Sequence, residues 1–423
     1  MSSNRLRIAV VGAGAAGVSS AWLLSRRHDV VLLENNDYIG GHTNTIVVPD
    51  GPDAGTPVDT GFIVLNDRTY PTLEELFRQW GVQTRDSDMS FGFHDEFTGL
   101  QYAGTALDGL LAQRLNALRP SFWALCAGVL KFHRVARRDL RENAIPEGLS
   151  LGKYLARIGV ARNVVHDFIL PMGAAIWSTP AREMLRFPAL SFIRFFENHG
   201  LLTVTDMPQW RTVVGGSFAY TKRFRGLFTG RVVASAGVVG VERSPRPAVL
   251  FADGSREEFD HLVLATHADE ALRLLRDPSA AEREILGAWH YNKNLAVLHF
   301  DESVLPPNER AWASWNYTRE QVPGADASLS VTYDMNRLQG LRTKRRYLVS
   351  LNRAKAISPR HIIKSISYTH PSYDAAAVAS QGRFEEIDGA RATWFAGSYR
   401  GHGFHEDAVR SGAAVAAAFG IAL

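Results

Sequence analysis

Residues Arg7 to Glu34, RIAVVGAGAAGVSSAWLLSRRHDVVLLE, leave this chain little choice of local structure. Ile8 to Val11 form an apolar run suited to a strand buried on both faces, and Val30 to Leu33 form a second. Between them Ala21, Leu23 and Leu24 make a helical stripe, and Gly12, Gly14 and Gly17 fall at GxGxxG spacing. The sum is a βαβ unit of the dinucleotide-binding kind. Gly12 permits the tight turn out of the strand. Gly14 lets backbone N–H groups approach a diphosphate, with Ala15 and Ala16 opening the helix beside it, and Gly17 lets helix and strand close up. Glu34 lies twenty-two positions beyond Gly12, where a carboxylate accepts both hydroxyls of an adenosine ribose; Asn35 adjoins it. The same charge repels a 2′-phosphate, which disfavours NADP. The fingerprint by itself does not choose between NAD and FAD.

At 423 residues and 46% hydrophobic content, the chain fits two interleaved domains with ample cores. Its net charge of +4 is mildly basic, and clusters such as Arg134 to Arg141 read first as solvated faces, then as sites for an anionic membrane surface or acidic substrate. Nucleic acid is not expected as a partner. The one cysteine, Cys126, excludes an internal disulfide and a cysteine metal cluster and points to a reducing, cytoplasmic setting. No apolar run reaches the roughly 20 residues of a membrane-spanning helix. Peripheral contact with the inner face of a membrane stays open. The histidines show no HExxH or comparable spacing, so no metal is expected, and neither GxSxG nor a second GxGxxG occurs.

Further along, Gly40 and Gly41 sit in a loop that returns beneath the nucleotide. Val58 to Asn66 reads as a turn and strand, Tyr70 to Trp80 as a helix, and the stretch to about Gln209 as mainly helical. Gly215 and Gly216 precede a helix, and successive strands follow, with Asp253 and Gly254 as a hairpin turn. NLAVLHF, SLSVTYD and YLVSLN read as strands of a second excursion. A strand, a glycine turn around Gly403 and a terminal helix complete the pattern. The expected fold is α/β: a Rossmann-type, glutathione-reductase-like FAD-binding domain (1–75, 210–266 and 384–423) interleaved with an α+β substrate domain (76–209 and 267–383).

That layout resembles the flavoprotein amine oxidase superfamily, which includes amine oxidases, protoporphyrinogen oxidases and phytoene desaturase-like enzymes. Four motifs in order carry the resemblance: Gly12 to Glu34; Gly40 and Gly41; DGSREEFDHLVLAT; and FAG…GxxE at Phe395 to Glu406. More narrowly, NLAVLHFDESVLP, AWASWNY, VTYDMNRLQ, YTHPSYD and GFHED resemble bacterial FAD-binding oxidoreductases found beside cyclopropane-fatty-acid-synthase-type methyltransferases. The resemblance implies FAD, and a lipid or other hydrophobic small-molecule substrate with a lipid methyltransferase as a partner. With no cysteine near the flavin motifs, FAD is expected to be noncovalent.

Carried over by position, the resemblance implies that Gly40, Gly41, His42 and Thr43 hold the diphosphate and ribityl region. Val232 or Val233 would meet adenine. Gly397 and Ser398 approach the flavin, and Gly403, Phe404, His405 and Glu406 lie along the isoalloxazine, with the last helix N-terminus aimed at its N1 and C2=O edge. Ser398 and Tyr399 stand where many relatives carry an acid. Near flavin N5, Asn294 is preferred to Lys293, which removes support from amine oxidation. For any proton that leaves with the hydride, His42, His405, Tyr291 and Glu406 are the candidates, and Asn294 completes the catalytic set with His405, Tyr291 and His42. An apolar tunnel is expected along Met172, Ile176, Trp177, Phe192, Phe195 and Phe196. The expected activity is desaturation of a methyl-branched fatty acyl chain or similar lipid. The alternatives are an amine oxidase, an FAD-dependent double-bond isomerase and a non-catalytic flavoprotein partner of a methyltransferase.

Overall fold

The computed structural model describes residues 5–177, 179–321 and 328–423. The first strand, Arg7–Val11, lies between Asp29–Leu33 and His261–Leu264, all parallel, and Arg231–Val233 and Thr393–Phe395 complete a five-stranded parallel sheet. Ile8, Ala9 and Val10 are fully buried, as a central parallel strand covered on both faces requires. The helix Ala15–Ser25 covers one face, and His405–Ala418 packs on it so closely that a Cβ at Gly412 would stand 2.5 Å from the Ala16 carbonyl oxygen.

A second sheet of seven strands carries the other half of the molecule. Its order is Ile362–Ser372, His290–His299, Leu348–Leu351, Ser328–Asp334, Trp315–Glu320, Phe91–Asp95, Gln101–Ala103. Every pairing is antiparallel except Trp315–Glu320 with Phe91–Asp95, where the two excursions meet in parallel register. The helix Leu170–Trp177 lies against this sheet, and the longest helix, Pro120–Arg141, packs on Ala189–Asn198 beyond it. Among the described residues, no helix is long and apolar enough to cross a membrane.

The stretch from Trp80 to about Gln209 is mainly helical, with three short strands in its first part, Thr84–Asp86, Phe91–Asp95 and Gln101–Ala103, the last two with aromatic residues on a buried pleat. Val58 to Asn66, expected as a turn and strand, has a short strand on each side of its turn: Pro57–Asp59 pairs with Thr45–Val47 and Leu65–Asn66 with Trp210–Val213. The cause is Gly61, where a Cβ would fall 2.1 Å from the His42 carbonyl oxygen, so the chain must slip under His42. The hairpin at Asp253 and Gly254 forms as read, with Gly254 at φ +85° and the Asp253 carboxylate accepting from Ser255 N–H at 2.8 Å.

Candidate active site

One cavity of about 1440 Å³ runs from the C-terminal ends of the parallel strands to the underside of Pro120–Arg141. At the nucleotide end it is walled by backbone. Gly12 has φ +98°, and a Cβ there would reach to 2.6 Å from the Ala265 carbonyl oxygen; one at Gly17 would sit 1.8 Å from that of Gly12. Gly14 differs: nothing lies within 4 Å of where its Cβ would be, because that position opens onto the cavity. Gly40 donates to the Ala13 carbonyl at 2.8 Å, and Gly41, at φ +58°, places its missing Cβ 3.2 Å from Gly14 Cα. Two glycine loops therefore form one cradle at the helix N-terminus, a fit for a diphosphate. Glu34 borders the same space. Its Oε2 accepts from Ala13 N–H at 2.7 Å and its Oε1 from Asn36, which fixes the carboxylate while leaving lone pairs for ribose hydroxyls.

The far end of the flavin position is closed by Gly397, Ser398, Gly403, Phe404 and His405, all on the cavity wall. Asp407 accepts from His402 N–H at 2.9 Å and Phe404 N–H at 3.1 Å, holding the turn that opens the last helix.

Several expected contacts fall elsewhere. Val232 and Val233 lie on the edge strand, with the Val233 carbonyl accepting from Glu34 N–H, and neither lines the cavity, whereas Val238 and Val239 of the following strand do. The Thr43 hydroxyl bonds Tyr220 and comes within 3.0 Å of His405 Nε2, so the three side chains hold one another, and of these only His405 borders the cavity. His405 is stacked on Phe62 at 3.8 Å, and burial drives its pKa down to about 3. The Glu406 carboxylate accepts from Thr72 N–H at 3.0 Å and Leu73 N–H at 2.9 Å, so it caps the neighbouring helix Pro71–Trp80. Tyr291 and Asn294 stand behind the wall. The Tyr291 hydroxyl accepts from Ala268 N–H at 2.9 Å and its ring stacks on His267, while Lys293 points out to solvent.

What those two residues support was missed in the sequence. His42, His267 and His370 border the cavity together, with ring centroids 5.2 Å apart for His42 and His370 and 6.1 Å for His42 and His267. A chain of amides fixes His370. Leu295 N–H donates to Asn352 Oδ1, Asn352 Nδ2 donates to Asn294 Oδ1, and Asn294 Nδ2 donates to His370 Nδ1 at 2.9 Å. His370 therefore carries its proton on Nε2. Burial pushes its pKa to about 4 and that of His42 well below the usual range, so both are neutral at pH 7. The signal that could have found His370 is the register Asn294↔Tyr368, which sets the two side chains on one face two residues apart.

The remaining cavity is apolar. Met172, Ile176, Trp177 and Phe195 line it as expected, whereas Phe192 and Phe196 lie fully buried behind. Phe122, Leu125 and Val129 of Pro120–Arg141 form the opposite wall. The Trp177 indole N–H donates to the His402 carbonyl at 3.2 Å, tying this wall to the turn beneath the last helix.

Comparisons with known proteins agree with this construction. The model of the family described as flavin containing amine oxidoreductase matches residues 15–343. The L-amino-acid oxidase of Demansia vestigiata is 37% identical over 82 residues, a match spanning 19% of this chain and 15% of that protein. That of Pseudechis australis is 35% identical over 85 residues, 20% of this chain and 16% of that protein. Among solved structures, a CLA-producing fatty acid isomerase from P. acnes superimposes with a TM-score of 0.68 at 17% identity, covering 98% of both chains. A putrescine oxidase bound to putrescine does so with 0.70 at 16%, covering 98% of this chain and 99% of that one. Likeness at such identities carries the fold, and the family match carries membership: the chain belongs to the flavin containing amine oxidoreductases, with FAD as its cofactor.

Proposed function

We propose that this protein is an FAD-dependent oxidoreductase acting on a long apolar substrate, an acyl chain of a lipid, which it desaturates. The observation that carries this reading is the undivided cavity. At about 1440 Å³ it exceeds the ~300–1,000 Å³ of a single small-molecule site, and its second half is walled by aromatic and aliphatic side chains. The only acidic residues on the wall, among the described residues, are Glu34 and Glu270, neither in the apolar half, so a protonated amine would find no counter-charge there.

Bound FAD supplies a hydride acceptor at N5. Gly12, Gly14, Gly40, Gly41 and Glu34 would hold its nucleotide half, and the turn 397–405 its ring end. The N-terminus of His405–Ala418 presents unpaired N–H groups there, a field that favours negative charge. The apolar walls exclude water and orient the chain of the substrate. His370, holding its proton on Nε2, is the group poised to donate a hydrogen bond or relay a proton at the junction of the two halves. A lipid methyltransferase that modifies the same acyl chain is the partner this reading suggests.

The test begins with the absorbance spectrum of the purified protein before and after denaturation, with lipid extracted from the same sample. Released flavin, a bound acyl lipid, and anaerobic bleaching by that lipid to a product two hydrogens lighter are expected. A product of unchanged mass would make the protein an isomerase. Bleaching by amines with peroxide release, or a protein that stays colourless after reconstitution with FAD, would overturn the proposal.

A further inference from the structure

The helix Pro120–Arg141 has two apolar faces. One, through Phe122, Leu125 and Val129, lines the cavity; the other, unusually, faces out. Trp123 is 45% exposed, and on the preceding turn Arg114–Leu118 the side chains of Leu115 and Leu118 are 67% and 81% exposed. The Trp123 indole N–H donates to the Ala117 carbonyl at 2.9 Å, so the ring lies against that turn with its polar atom satisfied inside the protein. Nothing on this ridge needs water.

The ridge runs into the cavity mouth. Leu130 is half exposed and also lines the cavity, and so do Val204 and Met207 of the facing loop, both more exposed still. A rim of large apolar side chains around an opening is costly in water unless something covers it. Charge identifies the cover. Residues 109–138 contain six basic and no acidic side chains. Three of them, Arg119, Lys131 and Arg134, are exposed and make no ion pair among the described residues. A second copy of the chain would bring the same positive charge against itself, whereas an anionic lipid surface accepts both the leucines and tryptophan and the cations around them.

We propose that this ridge seats on an anionic bilayer, with the mouth between Leu130 and Met207 turned into the acyl layer. The proposal rests on the acyl-chain reading of the cavity and names where the chain enters. No membrane-spanning element is involved; the side chains reach the boundary between headgroups and acyl chains, and the substrate enters the site from there without crossing water.

Flavin-loaded protein is sedimented with vesicles of phosphatidylcholine alone or with phosphatidylglycerol added, at low and high salt. Binding to the anionic vesicles, weakened by salt, is expected, with little on the neutral ones. Leu115→Glu combined with Leu118→Glu should cut partitioning by about tenfold or more. Lys131→Gln and Arg134→Gln should each cut it about fivefold. None of these side chains lines the cavity, so melting temperature and flavin occupancy should not move. Wild-type protein that stays in the supernatant with anionic vesicles, double-variant protein that binds as well as wild type, or a dimer that the double variant dissociates would each overturn the proposal. Sedimentation needs no turnover, so failure here is distinguishable from failure of the acyl-chain reading, which the extracted lipid decides.

Discussion

The two ends of the cavity recognise by opposite means. At the nucleotide end, recognition is made of what is missing: Gly12, Gly14, Gly40 and Gly41 clear side chains away so that backbone N–H groups reach a ligand. At the other end it is made of what is present, the bulk of Phe122, Trp177 and Phe195 from elements far apart in sequence. A backbone site tolerates almost no substitution and is written in consecutive residues. A side-chain site tolerates shape-preserving change and is written nowhere in particular.

The largest effects should come from the glycines, and the glycines should differ among themselves. Gly17→Val should abolish folding, since its Cβ would lie 1.8 Å from a carbonyl oxygen; Gly14→Glu should fold and lose flavin affinity by about a hundredfold or more, because only the cavity lies before it. Circular dichroism alongside flavin content separates the two. If Gly14→Glu retains flavin, the backbone cradle has been misread.

Acid should strike both ends together. Burial holds His405 near 3 and His370, His133 and His199 near 4, against 6.5 for a free histidine. The folded chain therefore binds fewer protons than the unfolded chain below pH 6.5, and stability falls as pH falls from there toward 4. Each histidine should cost about 1–2 kcal/mol between pH 7 and pH 5. Asp59, raised to about 6 by burial, is protonated more readily when folded and offsets part of this as pH falls through 6. Urea unfolding at the two pH values checks the sign; equal midpoints would contradict it.

A smaller effect is expected from Val129→Trp, which narrows only the apolar end. Flavin content should be unchanged and affinity for a long acyl substrate about tenfold lower, with shorter chains less affected. Smallest is Asn294→Leu. It removes the donor that fixes His370 without touching the cavity, so kcat should fall about threefold to tenfold with a displaced pH profile while KM holds. Unchanged pH dependence would mean that His370 is only part of the wall.

The contrast also explains what could be read in advance. The βαβ unit and the paired Gly40 and Gly41 were legible because a glycine's meaning is local: the backbone needs room at that position whatever the rest does. Glu406 belongs to the flavin motif by position and to a helix cap by chemistry, and only the structure shows that the cap is on another helix, whose N–H groups lie 333 and 334 residues away. Asn294 and Tyr291 stand one layer behind the cavity wall, and sequence does not tell which of two stacked polar residues meets the cavity. His370 required the register between two strands separated by about seventy residues, which pairing sets and periodicity does not, and His267 is placed by its stacking on Tyr291. The apolar wall was foreseen in part: Met172, Ile176, Trp177 and Phe195 reach it, while Phe192 and Phe196 fill the second row.

The parallel pairing of Trp315–Glu320 with Phe91–Asp95 has a consequence for how the protein is made. On the ribosome, the strand at 91–95 pairs early with Gln101–Ala103 but must wait for more than two hundred further residues before its parallel neighbour exists, and the parallel sheet waits for Thr393–Phe395. Until residues 315–320 emerge the first excursion has an open edge, and until the helix at 405–418 emerges the helix Ala15–Ser25 lacks its cover. Nascent chains should therefore depend on chaperones until these partners have emerged, and flavin can be captured only after the helix at 405–418 is available.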